Sequence, residues 1–503
     1  MSGFLLLSPL LIRFSIAIVL MFSWRKIRLQ RFISVLGEVI ALCLATITFQ
    51  QVLAEGASSM QAGGWLAPYG ITLVVDSLAA LLLLVTSIIG LGVSLFAAGS
   101  MLNSRLRFGF FPIYHLLLLG ISGAFLAGDI FNLYVWFEVM IISSFVLLTL
   151  GGERAQIEGA VKYFTLNFLA SVVFLTGLAV LYGLTGSLNM ADLSLKLPLV
   201  AQRSLVDVCA FIFFIAFGIK AAVFPLYFWL PASYHTPPTA VTAVFGGLLT
   251  KVGIYAMLRV FTLMFPWDAF LAGLFQLVAV LTILAGAFGA LSKQHLVKSI
   301  SWLIICHIGF MLAGLATHNQ ESLAGTIFYM THDMLVKAAL FLMSGITYRL
   351  LATHLFGKAG GLFSQHPAWS LLFAVPLFAL VGIPPLSGFW PKISLLSGMA
   401  AAGNWLLFAM VLFGSLVTLV VVARIWIAFF WQPSPTEPVV AFRYFEDYPV
   451  IKRRAMGAGM VMVVFASLLL VAAAPRMYVW CHHMAANLLN PAAYLQLVLP
   501  QSP

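Results

Sequence analysis

Apolar stretches recur along the whole of this chain, each close to the roughly 20 residues an α-helix needs to cross the hydrocarbon core of a bilayer. Fourteen are readable, near 4–23, 32–53, 71–98, 109–127, 130–150, 158–182, 206–230, 239–262, 270–291, 299–316, 323–348, 369–398, 404–430 and 457–474. The runs are continuously apolar and do not alternate, so they read as spanning helices and not as barrel strands. With 62% of 503 residues apolar and only 8% charged, little is left from which to build a soluble domain. The expected fold class is an all-α polytopic membrane protein with about fourteen transmembrane helices. The first run leads into the basic stretch Trp24–Arg31 without a small-residue cleavage site, which reads as a retained span and not a signal peptide.

A net charge of +11 invites a nucleic-acid reading, but the distribution of the charge opposes it. Loops after odd-numbered spans hold Arg25, Lys26, Arg28, Arg31, Arg105, Arg107, Arg154, Lys162, Lys293, Lys298, Arg349, Lys358, Arg424, Arg443, Lys452, Arg453 and Arg454. The other face holds only Lys196, Arg203, Arg476 and, near a helix end, Arg259. Such a bias follows the positive-inside rule and places both termini outside. The four cysteines are scattered without a CxxC, which points away from iron–sulfur and structural zinc sites. No Walker-type loop and no GxGxxG after a strand occurs, which points away from nucleotide-driven pumping by this chain alone. The longest polar stretch, about 430–456, reads as a loop on the inner face.

Against this background five charged side chains stand out inside spans: Glu138, Lys220, Lys251, Lys337 and Lys392. Each costs roughly 2.5–3.5 kcal/mol at the bilayer centre even on a lenient insertion scale. Leu or Ala would avoid that cost, so titratable groups at this depth read as parts of an ion or proton path. Glu138 and Lys220 make the strongest pair: at about 4 Å and an effective dielectric near 20 their attraction is roughly 4 kcal/mol. Separating them would release that amount, which is the kind of swing a proton pump requires. The alternative is a static pair that ties two helices together. Lys251, among Gly246, Gly247 and Gly253, is too near mid-span to snorkel well and reads as a relay. Asp333 and Lys337, spaced i, i+4, share a helix face and can form a local salt bridge. His332 is suited to carry a proton near neutral pH, though a satisfied core histidine fits equally; for His307 the structural role is the stronger reading. Lys392 reads as the end of the relay. Asp129, directly before its span, reads as a helix N-cap, and Asp76 as a packing or partner contact.

Two spans are interrupted. Pro225 lies five residues after Lys220, and Pro384, Pro385 and Pro391 precede Lys392. Proline removes a backbone donor and its ring collides with the preceding turn. Broken backbone at membrane depth is tolerated only where it faces protein or a watered cavity. The interrupted spans are the seventh and the twelfth, five apart, so a second copy of the motif runs inverted to the first. The expected organisation is helices 1–3 (residues 1–105), repeat one (106–262), repeat two (268–430), then an inner loop, helix 14 and an outer tail (431–503).

The runs GDIFNLYVWFEVMIISSFVLL, KYFTLNFLASVVFLTGLAVLYGLTGSLNMADL, IKAAVFPLYFWLPASYHTPPTAVTAVFGGLLTKVGIYAMLR and VGIPPLSGFWPKISLL resemble the antiporter-like membrane subunits shared by respiratory complex I and the Mrp-type multisubunit Na⁺/H⁺ antiporters. The likeness covers roughly residues 60–430. Within the family the FEVM, KYFTLNF and TGSLNMADL segments look most like the D-type Mrp subunits, and the short C-terminus lacks the long lateral helix of the largest subunits. The resemblance implies that Glu138 is the carboxylate of the fifth helix and Lys220 its partner on the broken seventh. It implies Lys251 as the connecting lysine of the eighth, His332 and Lys337 as members of the eleventh-helix motif, and Lys392 as the terminal lysine of the broken twelfth. Asp333 and the ICHIGF run around Cys306 depart from the family's usual small polar residues.

The expected function is thus a proton-translocating subunit of a monovalent cation/H⁺ antiporter, Na⁺ before K⁺ or Li⁺. It would sit in a bacterial inner membrane among other membrane subunits, as a transporter component with no prosthetic group or metal and no nucleic-acid partner. One alternative is a proton-pumping subunit of complex I or of a membrane-bound hydrogenase. Another is a membrane oxidoreductase with haem held by His307 and His332.

Overall fold

The structure, a computed structural model, describes residues 3–433 and 444–499. Part of the expected inner loop, including Arg443, and the last residues of the expected tail lie outside the described residues. The segments expected to span are helical: α1 (Gly3–Phe22), α2 (Ile27–Glu55), α3 (Ser77–Ser100), α4 (Phe110–Leu126), α5 (Ile130–Thr149), α6 (Arg154–Thr185), α7 (Arg203–Ala221), α8 (Thr239–Leu263), α9 (Ala269–Leu291), α10 (Leu296–Thr317) and α11 (Gln320–Leu351). They continue as α12 (Pro367–Val381), α13 (Phe389–Ala401), α14 (Trp405–Trp431) and α15 (Val450–Ala472). Among the described residues twelve of these helices are long and apolar enough to cross a membrane, and α4 and α12 are shorter apolar helices. The molecule is an all-α polytopic membrane protein.

Burial divides the bundle. In α3, α8, α10 and α11 nearly every side chain is enclosed, while α1, α2, α6, α9, α14 and α15 leave half or more of theirs at least partly exposed. Without a hydrophobic drive between helices in lipid, close approach depends on small residues at the contacts. Gly253 shows why: a Cβ there would stand 2.6 Å from the Ala221 backbone nitrogen, so glycine lets α8 lie against the end of α7.

The two breaks share a form. At the end of α7 the chain turns at Ala222 in the left-handed region (φ 62°), and helix resumes only at Trp229–Ser233. At the end of α12 Gly382 takes the same turn (φ 86°), and helix resumes at α13. Pro225, Pro384 and Pro385 lie within these breaks, as expected. Pro391 does not. It sits in the first turn of α13, where no intrahelical donor is needed and proline is tolerated.

One further expectation is corrected. The third span does not begin at 71: Ile71–Val75 is a strand, β2, paired antiparallel with β1 (Ser58–Ala62). Its β-branched ITLVV run favours extended chain, and helix starts only after Asp76, whose side chain accepts from the Ala79 N–H at 2.8 Å. The segment after the last span, read as an outer tail, forms α16 (Ala474–Leu489) and α17 (Ala492–Val498). Trp480 of α16 packs edge-on against Phe49 of α2, and the Ser59 hydroxyl donates to the Leu497 carbonyl at 2.8 Å.

Candidate functional site

The middle of the bundle is held by one carboxylate. Asp333, on α11, places Oδ2 2.7 Å from Lys251 Nζ of α8 and Oδ1 3.2 Å from His307 Nδ1 of α10; all three side chains are fully enclosed. His307 Nε2 lies 3.2 Å from the Thr418 hydroxyl of α14. Lys251 also donates to the Gly246 carbonyl at 2.8 Å, inside the widened π-helical turn Phe245–Leu249. Such one-turn bulges in α-helices gather at functional sites. The local i, i+4 bridge to Lys337 is not what forms: the ion pair of Asp333 is with Lys251. Lys337 Nζ is fully buried and has no hydrogen-bond partner among the described residues. Of the two buried amines near this carboxylate, only Lys251 is paired with it.

From this cluster the line continues along α11 to the second break. His332 Nδ1 lies 2.9 Å from the Ser387 hydroxyl, within the broken segment. Lys392 Nζ, on α13, donates to the carbonyls of Val381 at 2.6 Å and Leu380 at 3.4 Å. The residues four positions on from these carbonyls are Pro385 and Pro384, which have no N–H to give. The lysine thus occupies acceptors that the prolines leave open, and its ammonium also lies 5.6 Å from the Phe310 ring centroid.

The first break is arranged differently from expectation. No direct ion pair closes between Glu138 and Lys220. Lys220 Nζ donates to the Asn167 carbonyl at 3.1 Å and the Ser171 hydroxyl at 3.4 Å, both on α6, and sits 5.4 Å from the Phe137 ring centroid. The buried Oε1 of Glu138 has no hydrogen-bond partner among the described residues. Phe137, Tyr163, Asn167, Lys220 and Trp229 line a cavity of about 10 Å³, room for roughly one water. The lysine finds its acceptors on α6, a neighbouring helix, which spacing within single helices does not reveal.

Two cavities open at opposite ends. On the face of the basic loops, Glu153, His235, His295, Arg349 and His354 border one of about 610 Å³. Burial pushes His295 down to about 4 and His354 down to about 3, and their rings lie 5.3 Å apart. On the other face Asp76 pairs with Arg259 at 2.5 Å, beside a cavity of about 240 Å³ bounded by α16 and α17. Asp76 is thus both helix cap and ion-pair partner. Directly before α5, Asp129 is the expected N-cap, accepting from Asn132 N–H at 2.6 Å and Thr72 N–H at 3.1 Å; burial still raises it to about 6.

Sequence reasoning missed three fully buried residues, Arg13, Glu38 and His115, which lie together between α1, α2 and α4. Each is the only charged or histidine residue of its span, the same signal that singles out the lysines. For the haem reading, His307 has both ring nitrogens engaged by Asp333 and Thr418, which leaves none for an iron.

Residues 127–418 match the family model described as NADH:quinone oxidoreductase/Mrp antiporter, TM. A relative from Bacillus subtilis (strain 168), named as the D-type subunit of a Na(+)/H(+) antiporter, is 39% identical over 504 residues, covering 100% of both chains. Among solved structures, one from the Mrp complex of Dietzia sp. DQ12-45-1b superposes with a TM-score of 0.88 at 28% identity over 99% of each chain. One from an archaeal membrane-bound sulfane sulfur reductase gives 0.87 at 25% identity, again over 99% of each. The family model covers more than half of the chain and the relative spans all of it, so this chain belongs to the NADH:quinone oxidoreductase/Mrp antiporter family of transmembrane subunits.

Proposed function

We propose that this chain is the proton-carrying subunit of a multisubunit monovalent cation/H⁺ antiporter, working with other membrane subunits and exchanging H⁺ for Na⁺, with K⁺ or Li⁺ as the other candidate ions. The observation that carries the reading is Asp333 paired with Lys251 while Lys337 is buried without a hydrogen-bond partner among the described residues. Lys337 lies one helical turn from Asp333 on the same face. A swing of the carboxylate from one amine to the other changes which of them is held charged, at a scale of roughly 4 kcal/mol per close pair. A proton given up by one amine then has a path toward His332 and Lys392 on one side, and toward Lys220 and Glu138 on the other.

The full-length relatives named as antiporter subunits support cation exchange as the driver. The shared form of the two breaks supports reading 106–262 and 268–430 as inverted repeats, and the basic loops support termini on the outer face of a bacterial inner membrane. The runner-up, a proton-pumping subunit driven by electron transfer, is favoured by the 0.87 superposition on a respiratory complex. Reconstituting the whole complex in vesicles separates the two. With a Na⁺ gradient alone and an internal pH dye, the antiporter reading predicts proton movement without any electron donor. Proton movement that appears only when donor and acceptor are supplied would establish the redox reading instead.

A further inference from the structure

On the flank of the bundle, separate from the cavities at its two ends, α13, the end of α15 and the start of α16 enclose a hollow of about 960 Å³. That is the upper end of the roughly 300–1,000 Å³ of small-molecule sites. Its walls are mostly apolar: Trp390, Ile393 and Ala401 from α13, Val471 from α15, Pro475 from α16, and Pro385 from the second break. Trp390 is 43% and Ile393 42% exposed, so the mouth opens sideways, to the surroundings of the spans. An apolar hollow left empty beside lipid forfeits dispersion contacts at every atom that lines it.

Three polar side chains of the hollow meet at one carboxylate. Glu321, in the first turn of α11, accepts from the Ser394 hydroxyl at 2.6 Å on Oε1 and from the Tyr478 hydroxyl at 3.0 Å on Oε2. Among the described residues the only basic side chain within ion-pair distance is His482, 2.7 Å from Oε2, and an imidazole is a cation only when protonated. Glu321 thus has hydroxyl donors and no permanent positive partner, with 25% of its side chain still exposed. Its depth is that of a headgroup layer. Directly after α15 ends, α16 buries Met477, Cys481, Met484 and Leu488 along one face and exposes Arg476 and His483 on the other, as a helix lying in a membrane interface does.

The occupant that fits is apolar along most of its length and carries a cation with hydrogen-bond donors at one end. We propose that this hollow is a binding site for one phospholipid with a primary ammonium headgroup, of the phosphatidylethanolamine class, its ammonium on Glu321 and an acyl chain along Trp390, Ile393 and Val471. A primary ammonium brings three N–H donors and a charge that does not depend on His482. A trimethylated headgroup keeps the charge but has no N–H to give. The lipid would sit where α11, α13 and α16 are joined through Glu321, with Ser394 two residues along α13 from Lys392. The site stands independently of which ion or driver the complex uses, because its readout is lipid and not transport.

The test uses the assembled complex in vesicles that contain a trace of phosphatidylethanolamine with a photoreactive diazirine on its acyl chain. Labelled peptides are mapped by mass spectrometry after illumination. Wild type should be labelled within α13 and the start of α16, and unlabelled phosphatidylethanolamine should compete while phosphatidylcholine and phosphatidylglycerol of the same chains do not. Two variants separate the headgroup from the chain. Glu321→Gln removes the charge, and Ala401→Trp fills the hollow from an exposed position while leaving the carboxylate in place. Each should assemble normally and lower the labelling at this site by about tenfold or more, the scale of a lost hydrogen bond to a charged group. Glu158→Gln, at an exposed carboxylate outside the hollow, should be labelled as wild type. Unchanged labelling in either assembled variant would overturn the proposal, as would equal competition by the three lipids. A helix of another subunit seated in the hollow of the assembled complex would overturn it as well.

Discussion

At the scale of residues, the lysines are legible in the sequence because each interrupts an apolar run, and a charge in a span needs a reason. Their partners are not. Periodicity says which residues share a face of one helix, so it matches Asp333 with Lys337, whereas the structure matches it with Lys251 on a neighbouring helix. Asp333→Asn should leave Lys251 without its counter-charge and destabilise the chain by about 3–5 kcal/mol, read as lower yield of assembled complex and a lower melting temperature. Unchanged yield would show that the pair bears little. Lys392→Arg discriminates further. An arginine can still cap the Leu380 and Val381 carbonyls, but it does not give up its proton, so assembly should persist while exchange falls about a hundredfold. The exposed Lys358 serves as control, and Lys358→Ala should exchange normally.

At the scale of elements, the spans are legible almost throughout, since length and apolarity are set by the bilayer and not by neighbours. What fails is a local rule read too broadly. Pro391 looks like a breaking proline in sequence, although its position in the first turn makes it harmless, and ITLVV is apolar enough to merge with a helix that Asp76 begins. The second break is kept close-packed by Gly388, where a Cβ would stand 2.9 Å from His332 Nε2 and collide with the Ala379 carbonyl. Gly388→Ala should therefore displace His332 from Ser387 and slow exchange about tenfold or more. Gly273→Ala, at a site with nothing within 4 Å of the new Cβ, should be silent or slightly stabilising. Equal behaviour of the two variants would mean that the break tolerates more room than its geometry shows.

At the scale of the whole molecule, the Lys251–Asp333–His307 cluster is enclosed among α8, α10 and α11, and cavities open at opposite ends of the bundle. The cavity on the basic face carries a pH prediction. Its histidines are ordinary groups near 6.5 when the chain is unfolded and are pushed down to about 4 (His295) and about 3 (His354) by burial in the fold. The unfolded state then binds more protons below pH 6.5, so stability falls as pH drops from about 6.5 toward 4. Thermal melts of the detergent-solubilised complex over that range should shift less steeply in His295→Gln with His354→Gln than in the wild type. Equal slopes would place the acid sensitivity elsewhere.

The central claim is that protons cross through the Lys251–Asp333 pair. Lys251→Ala combined with Asp333→Ala removes both charges together and orphans neither, so the complex should assemble. Cation-driven proton exchange in vesicles by that double variant is the most direct measurement: the account predicts an assembled complex with no exchange above the protein-free background. Exchange at the wild-type rate would show that protons take another way.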